Sequence, residues 1–357
     1  MKVRLPVRKA ILDRKTYEAP AEGRWGKVRL DFNENTTGCS EAARKALRKL
    51  GGKELAMYPE YRAPTQTLAK YFGVKPEELQ LTNGGDDALR VFFDTFVEPG
   101  SHILICEPTF PMYRYYAEIA GARVEALRYS REMEFPLTAV LKALRKRPRV
   151  FFLANPNNPT GTLVEKSAIA AILKASSHTA VVLDEAYADF SGVTVVPWIR
   201  LHANLFVAKT FSKAAALAGL RLGAVIARRE SLAFVKRAMP PFPVNAAALA
   251  AGVAAVRERR TIERYIRDTK RLREWFATEL NRRGARVFPG NGNFLLADFG
   301  EVGPRLFRKL TRNEILIRER SKDLGPGFAR IAIGTKKELQ AFLRILDRGK
   351  KGGHFRG

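Results

Sequence analysis

Apolar positions along the chain recur in two periods that take turns. From residue 66 onward, stretches with helical spacing of apolar residues alternate with short runs that are apolar almost throughout. "QTLAKYFGV" (66–74) has the helical spacing and "LQLT" (79–82) the strand pattern, and a helical stretch from Asp86 to Val97 leads into "HILIC" (102–106). A helix over 110–120, "ARVEALRY", a helix near 137–146, "RVFFLAN", a helix over 165–175 and "AVVLDEA" continue the series, which closes with "LFVAKT" and "LGAVIA". Gly, Pro and Asn bound the β-rich runs, and such runs read as strands covered on both faces. The pattern predicts an α/β unit with a mostly parallel central sheet flanked by helices.

The pattern changes after Pro243. A long amphipathic stretch rich in Arg and Glu runs from about Ala246 to Arg283. Then come "ARVFPG", "NFLLADF", "EILIRER" and "ARIAIG", short strands around a helix near 303–312, with a final helix from Lys336. These segments predict a smaller α+β unit, and 357 residues suit two compact domains. The expected division is an N-terminal arm or lid at 1–50 that packs on the small domain, a large α/β domain at 51–243, and the small domain at 244–357.

Composition narrows the class. At 46% hydrophobic and 28% charged, the chain is that of a globular protein. Its two cysteines, Cys39 and Cys106, are far apart and lack metal-ligand spacing, which fits a reducing compartment. The first twenty residues hold no apolar segment of signal-peptide length, and Ala246–Val256, the longest apolar stretch, is too short to span a bilayer. A cytoplasmic protein without a membrane partner is expected. The net charge of +27 is spread along the chain with modest clusters such as "RKRPR" (145–149), and no nucleic-acid recognition motif accompanies it. Solvated surface charge, rather than nucleic acid, is the expectation, and anionic small ligands gain from the field.

Several chemistries lack their signatures. Neither G-x-G-x-x-G after the first strand nor G-x-x-x-x-G-K-[ST] is present, H-E-x-x-H and G-x-S-x-G are missing, and the four histidines are isolated. No metal is expected. What stands out is a set of polar residues at the ends of predicted strands, where doubly wound sheets bind ligands. "LTNGGDDALR" places Gly84 and Gly85 before Asp86 at a helix start, and "CEPTFPMY" sets Phe110 between prolines. "FFLANPNNPTG" is a rigid polar turn, "VVLDEAYADF" ends a strand in Asp184 with Tyr187 beyond it, and "FVAKTFSK" ends in Thr210, Ser212 and Lys213. Singly, each has a plain structural reading as a turn, a helix cap or loop geometry. Five together at strand ends point to chemistry. A lysine that forms an imine with a phosphorylated pyridine cofactor, pyridoxal phosphate, would account for all of them. Asp184 suits the pyridinium nitrogen, Gly85, Asp86, Thr210, Ser212 and Arg221 suit a phosphate, Phe110 suits the ring face, and Asn158 and Tyr187 suit the ring oxygen.

In these residues the sequence resembles the fold-type I pyridoxal-phosphate aminotransferases of classes I and II, most closely their histidinol-phosphate branch. The resemblance rests on "LDFNENTTGCS" (30–40), "YPEY" (58–61), "NGGDD" (83–87), "EPTFPMY" (107–113), "ANPNNPTG" (154–161), "LDEAYADF" (183–190), "TFSKAAALAGLR" (210–221) and "ILIRERSKDLGPGFARIAIGT" (315–335). It implies ping-pong transamination between L-histidinol phosphate and 2-oxoglutarate, with Lys213 as the imine-forming lysine and proton carrier and Asp184 and Tyr187 beside it. It also implies that Arg330 grips the substrate α-carboxylate, that Arg318 meets the substrate phosphate, and that Tyr17 and Asn33 lie where the N-terminal segment closes. Tyr58 would reach the cofactor phosphate of a neighbouring subunit, implying a homodimer. The sequence departs from the family pattern at Thr36, Cys39, Gly85, Asp87 and Phe110, the last often tyrosine in the family. An aromatic-amino-acid transaminase and a threonine-phosphate decarboxylase share the cofactor motifs and stay open as alternatives. A basic nucleic-acid-binding protein on an inactive scaffold is the remote one.

Overall fold

The computed structural model describes residues 5–12, 14, 16 and 22–350. Twelve strands follow in chain order: β1 (Val28–Leu30), β2 (Leu79–Thr82), β3 (His102–Glu107), β4 (Arg123–Arg128), β5 (Val150–Ala154), β6 (Ala180–Asp184), β7 (Leu205–Thr210), β8 (Gly223–Ala227), β9 (Arg286–Val287), β10 (Phe294–Asp298), β11 (Ile315–Glu319) and β12 (Phe328–Ala332). They form a seven-stranded sheet in the order β2-β8-β7-β6-β5-β3-β4 and a five-stranded sheet in the order β1-β11-β12-β10-β9.

The large sheet is parallel from β4 to β7, with β8 antiparallel to both its neighbours. Its apolar runs alternate between two cores because side chains in a strand alternate faces. Phe151, Leu153, Val181, Leu183 and Val207 face one core, while Phe152, Val182, Phe206 and Ala208 face the other. The helix Gly84–Phe96 covers the second face with Leu89, Phe92 and Phe93, and Leu68 and Ile169 cover the first. The parallel arrangement aligns the carboxyl ends of β3, β5, β6 and β7 along one edge, which fixes where a ligand meets the sheet.

The small sheet has its own core, built on Leu30, Phe276, Leu280, Leu295, Phe307 and Phe342. β1 pairs in parallel with β11, Leu30 opposite Ile317, so the N-terminal segment supplies an edge strand to it. The cores do not part at Pro243, however. The stretch from 246 to 283 forms two helices, Ala246–Arg257 and Arg259–Arg282, which meet at Glu258. Ala248, Leu249, Ala251 and Ala255 of the first helix belong to the core of the large sheet. Gly252 explains the closeness, since a Cβ there would lie 2.3 Å from Leu222 Cδ2. The second helix crosses from one core to the other, with Ile262 in the first and Phe276 and Leu280 in the second. Sequence character changes at Pro243 because the helix is rich in alanine, not because the core changes. The first fifty residues are likewise divided: the helix Glu41–Arg48, capped by Ser40, places Ala43 in the large core.

Among the described residues, no helix is long and apolar enough to cross a membrane, and no cluster of His, Cys, Asp and Glu could hold a metal ion.

Candidate active site

A cavity of about 650 Å³ opens beyond the carboxyl ends of β5, β6 and β7 and is closed on its far side by β11 and β12. Gly85, Asp86, Phe110, Asn158, Asp184, Tyr187, Thr210, Ser212, Lys213 and Arg221 all line it, as do Arg318 and Arg330. Residues from five strand ends and from the second sheet are thus brought to one space.

Asp184 is the last residue of β6 and forms no ion pair among the described residues. Its Oδ1 accepts the Ala186 N–H at 3.0 Å and its Oδ2 accepts the Tyr113 hydroxyl at 2.7 Å. Burial pushes the carboxyl above its ordinary value, against the pull of those two hydrogen bonds. Tyr113 in turn sits fully buried, its phenol pushed well up by burial and by the carboxylate beside it. A desolvated carboxylate that meets two neutral donors, and feels only a lysine already paired with Glu185, favours a further cationic partner in the cavity, and a protonated ring nitrogen is one.

On one side of Asp184, the start of the helix Gly84–Phe96 meets Arg221. Gly84 has φ +82°, and a Cβ there would lie 2.6 Å from Arg221 Nη2, so only glycine lets the guanidinium cross the first turn. Arg221 Nη2 donates to Asp86 Oδ2 at 2.9 Å. Thr210 Oγ1 donates to Ser212 Oγ at 3.0 Å and accepts the Ser212 N–H at 3.1 Å. Helix-start amides, two hydroxyls and an arginine fork make a site for an oxyanion such as a phosphate.

Lys213 lies on the other side. Its Nζ donates to the Phe32 carbonyl at 2.9 Å and lies 5.7 Å from the centroid of the Tyr187 ring. Tyr187 Oη accepts from Asn33 Nδ2 at 3.0 Å, and its ring stands edge-on to Phe294 at 5.0 Å. Asn33 is completely buried behind this layer rather than lining the cavity. Phe110 lines the wall and meets Tyr113 edge-on at 5.9 Å.

Arg330 reaches across from β12. Its Nη1 donates to Asn158 Oδ1 at 2.6 Å, its Nη2 to the Asp31 carbonyl, and its Nε is buried without a protein partner. Burial pushes its guanidinium down to about 10, and Arg320 and Arg318 add to the effect. The segment that supplies Asp31, Phe32 and Asn33 is itself fixed by Arg24, which bonds Asp31 at 2.6 Å and Glu34 at 2.7 Å and lies over the Phe32 ring at 4.0 Å.

Of the expected site residues among those described, Asn33 and Tyr58 do not line the cavity. Tyr58 is exposed and stacks on Phe242 with centroids 4.3 Å apart, away from the cavity of its own chain. Tyr17 lies outside the described residues. Conversely, Tyr113, Arg320 and the Phe32 carbonyl take part without having been singled out. Tyr113 carried a signal, standing one helical turn after Phe110 in "EPTFPMY". The carbonyl carried none, because a main-chain acceptor has no residue type.

Known proteins resemble the chain over most of its length. Residues 26–346 match the family described as aminotransferase class I and II. A histidinol-phosphate aminotransferase of Geobacillus sp. (strain WCH70) is 33% identical over 326 residues, which cover 89% of each protein. The solved histidinol-phosphate aminotransferase of Sinorhizobium meliloti, in complex with pyridoxal-5'-phosphate, superposes with a TM-score of 0.89 at 22% identity, covering 98% of this chain and 99% of that one. An L-threonine-O-3-phosphate decarboxylase of Porphyromonas gingivalis superposes with a TM-score of 0.79 at 26% identity, over 91% of this chain and 99% of that one.

Proposed function

The chain belongs to the class I and II aminotransferases, and from that premise we propose that it is a pyridoxal-phosphate-dependent histidinol-phosphate aminotransferase. It exchanges an amino group between L-histidinol phosphate and 2-oxoglutarate. The observation that carries the reading is the placing of Lys213 and Asp184, neither in an ion pair among the described residues, on one cavity whose far wall holds Arg318 and Arg330. The substrate reading is supported by the Geobacillus relative, named a histidinol-phosphate aminotransferase, which is 33% identical over 89% of each chain.

When bound, pyridoxal phosphate supplies an electron sink for the bond broken at the substrate Cα. The protein does the rest. Asp184 keeps the ring nitrogen protonated, and Tyr113 and the Ala186 N–H keep Asp184 in place. Arg221, Thr210, Ser212 and the amides at Gly85 and Asp86 would hold the phosphate, Phe110 would cover the ring, and Asn158 and Tyr187 would meet the ring oxygen, all from the cavity wall. Lys213 Nζ would hold the cofactor when it is bound and, once released, would be the base placed to take the proton from the substrate Cα. Arg330, already oriented by Asn158 and the Asp31 carbonyl, takes the α-carboxylate of the amino donor glutamate, and Arg318 takes the substrate phosphate. Asn33 buttresses Tyr187.

The proposal extends to a homodimer in the cytoplasm. Leu55, Met57, Tyr58 and Phe242 are exposed, and a second copy covering them would take Tyr58 to its own cofactor phosphate. The free thiols Cys39 and Cys106 suit a reducing compartment. A decarboxylase of a phosphorylated amino acid is the second reading, favoured by the likeness to the threonine-phosphate enzyme and by arginines that suit any distal phosphate. The two are separated by following products from histidinol phosphate with 2-oxoglutarate and from threonine phosphate. Glutamate formed in the first reaction supports the transaminase, and carbon dioxide released in the second with no glutamate in the first overturns it.

A further inference from the structure

Arg318, Arg320 and Arg330 converge on one face of the small sheet. β11 and β12 are antiparallel with Arg318 directly opposite Arg330, and Arg320 follows Arg318 by two positions, which keeps it on the same face. The pairing extends past the end of β11, since the Arg320 N–H donates to the Phe328 carbonyl at 2.9 Å. All three side chains line the cavity. Like charges directly across a strand pair are destabilising, and among the described residues neither Arg318 nor Arg330 forms an ion pair. Arg320 donates through Nη2 to Asp323, three residues on, while its Nε is buried with no protein partner and its side chain is only 13% exposed.

We propose that Arg320 is a specificity-determining residue, which with Arg318 forms a two-guanidinium subsite for a doubly charged distal group of the amino substrate. The proposal rests on the transaminase reading above. Arg330 takes the α-carboxylate of the amino donor. One guanidinium fork suits a carboxylate, whereas two forks on one strand face suit a phosphate monoester, which has three acceptor oxygens and about two charges. Asp323 holds Nη2 and thereby orients the remaining donors of Arg320. The cluster of like charge that weakens the empty sheet is the arrangement that a dianion relieves.

The competing account makes Arg320 and Asp323 a turn staple, since the Arg320 carbonyl also accepts the Leu324 N–H at 2.9 Å. Turnover of histidinol phosphate and of phenylalanine by the cofactor-loaded full chain separates the two, compared among wild type, Arg320→Ala, Arg320→Lys and Asp323→Asn with the Tm of each. The subsite account expects Arg320→Ala to lower kcat/KM for histidinol phosphate by about 10- to 100-fold, mainly through KM, and to leave phenylalanine nearly unchanged. Arg320→Lys retains charge without the fork and falls between, and Asp323→Asn stays near wild type. An equal effect on both substrates, no effect on either, or an Asp323→Asn variant that reproduces Arg320→Ala together with a lowered Tm overturns it. Where wild type shows no preference for histidinol phosphate, the substrate reading fails on its own. Inhibition of phenylalanine turnover by inorganic phosphate then decides for Arg320: weaker inhibition in Arg320→Ala supports the subsite, and equal inhibition overturns it.

Discussion

Two acid–lysine pairings sit side by side in the large sheet and are handled in opposite ways. Asp184 and Glu185 are consecutive, and Lys209 and Lys213 are four residues apart. Glu185 and Lys209 close on each other at 2.6 Å, and Glu185 also accepts from Thr194 at 2.6 Å and from the Val195 N–H at 2.7 Å. Burial alone would lower Lys209, yet Glu185 and Asp189 more than offset it and hold the ammonium raised. Lys209 lines the same cavity as Asp184 and Lys213, but those two have no ion pair among the described residues: Asp184 meets two neutral donors and Lys213 a single backbone carbonyl. A buried charge that serves the fold brings its own counter-charge, while one that serves a ligand is left short of it. That contrast, more than the cavity itself, separates the amine proposed as reactive from the structural one.

Substitution of the two lysines should divide activity from stability. Lys213→Ala is expected to lower kcat by about 10⁴-fold with the fold intact, checked by turnover and by a melting curve. Lys209→Met should do the reverse, leaving Glu185 as a buried unpaired charge and removing about 3–5 kcal/mol of stability, measured by urea unfolding. Turnover per folded molecule should survive. A Lys209→Met protein as stable as wild type would break the contrast.

Asp184 gives the pH form of the same comparison. Its folded pKa is raised, so in the free protein it takes up a proton more readily than in the unfolded chain, and the charged form costs stability above that pKa. Cofactor affinity needs the charged form and should fall as pH drops through the raised value. Tyr113→Phe removes a hydrogen bond that holds the carboxyl down, so the acid-side loss of affinity should begin at a higher pH than in wild type. Fluorescence titration with pyridoxal phosphate across pH checks this, and a midpoint that does not move would separate Tyr113 from the site. The smallest effect belongs to Tyr58→Phe, which deletes the one hydroxyl that the proposed dimer would bring to the neighbouring subunit's cofactor phosphate. A several-fold weaker cofactor affinity is expected, with about 1–2 kcal/mol lost, in a protein that light scattering shows to be a dimer.

Much of this was legible from the chain. The strand-end residues from Gly85 to Lys213 needed no structure to be grouped, because a parallel sheet aligns its carboxyl ends and the motifs mark them. The α+β strands and the final helix followed from periodicity. What stayed hidden was set by contacts between distant segments. The alanine-rich helix after Pro243 read as part of the small unit because composition does not say which core a helix packs on. The Phe32 carbonyl on Lys213, the Asn33 bond to Tyr187 and the grip of Arg330 on Asn158 join residues 154 to 181 positions apart, with residue types that fit many other roles. Arg320 looked like one more of 63 basic residues until the register of β11 placed it beside Arg318.

The central claim is that Lys213, and not its buried neighbour, is the amine that bonds the cofactor. Reduction of the pyridoxal-phosphate-loaded protein with borohydride, followed by peptide mapping, tests it most directly. The account expects one stoichiometric pyridoxyl label, on Lys213, and none on Lys209. A label on Lys209, or one spread thinly over surface lysines, would contradict it.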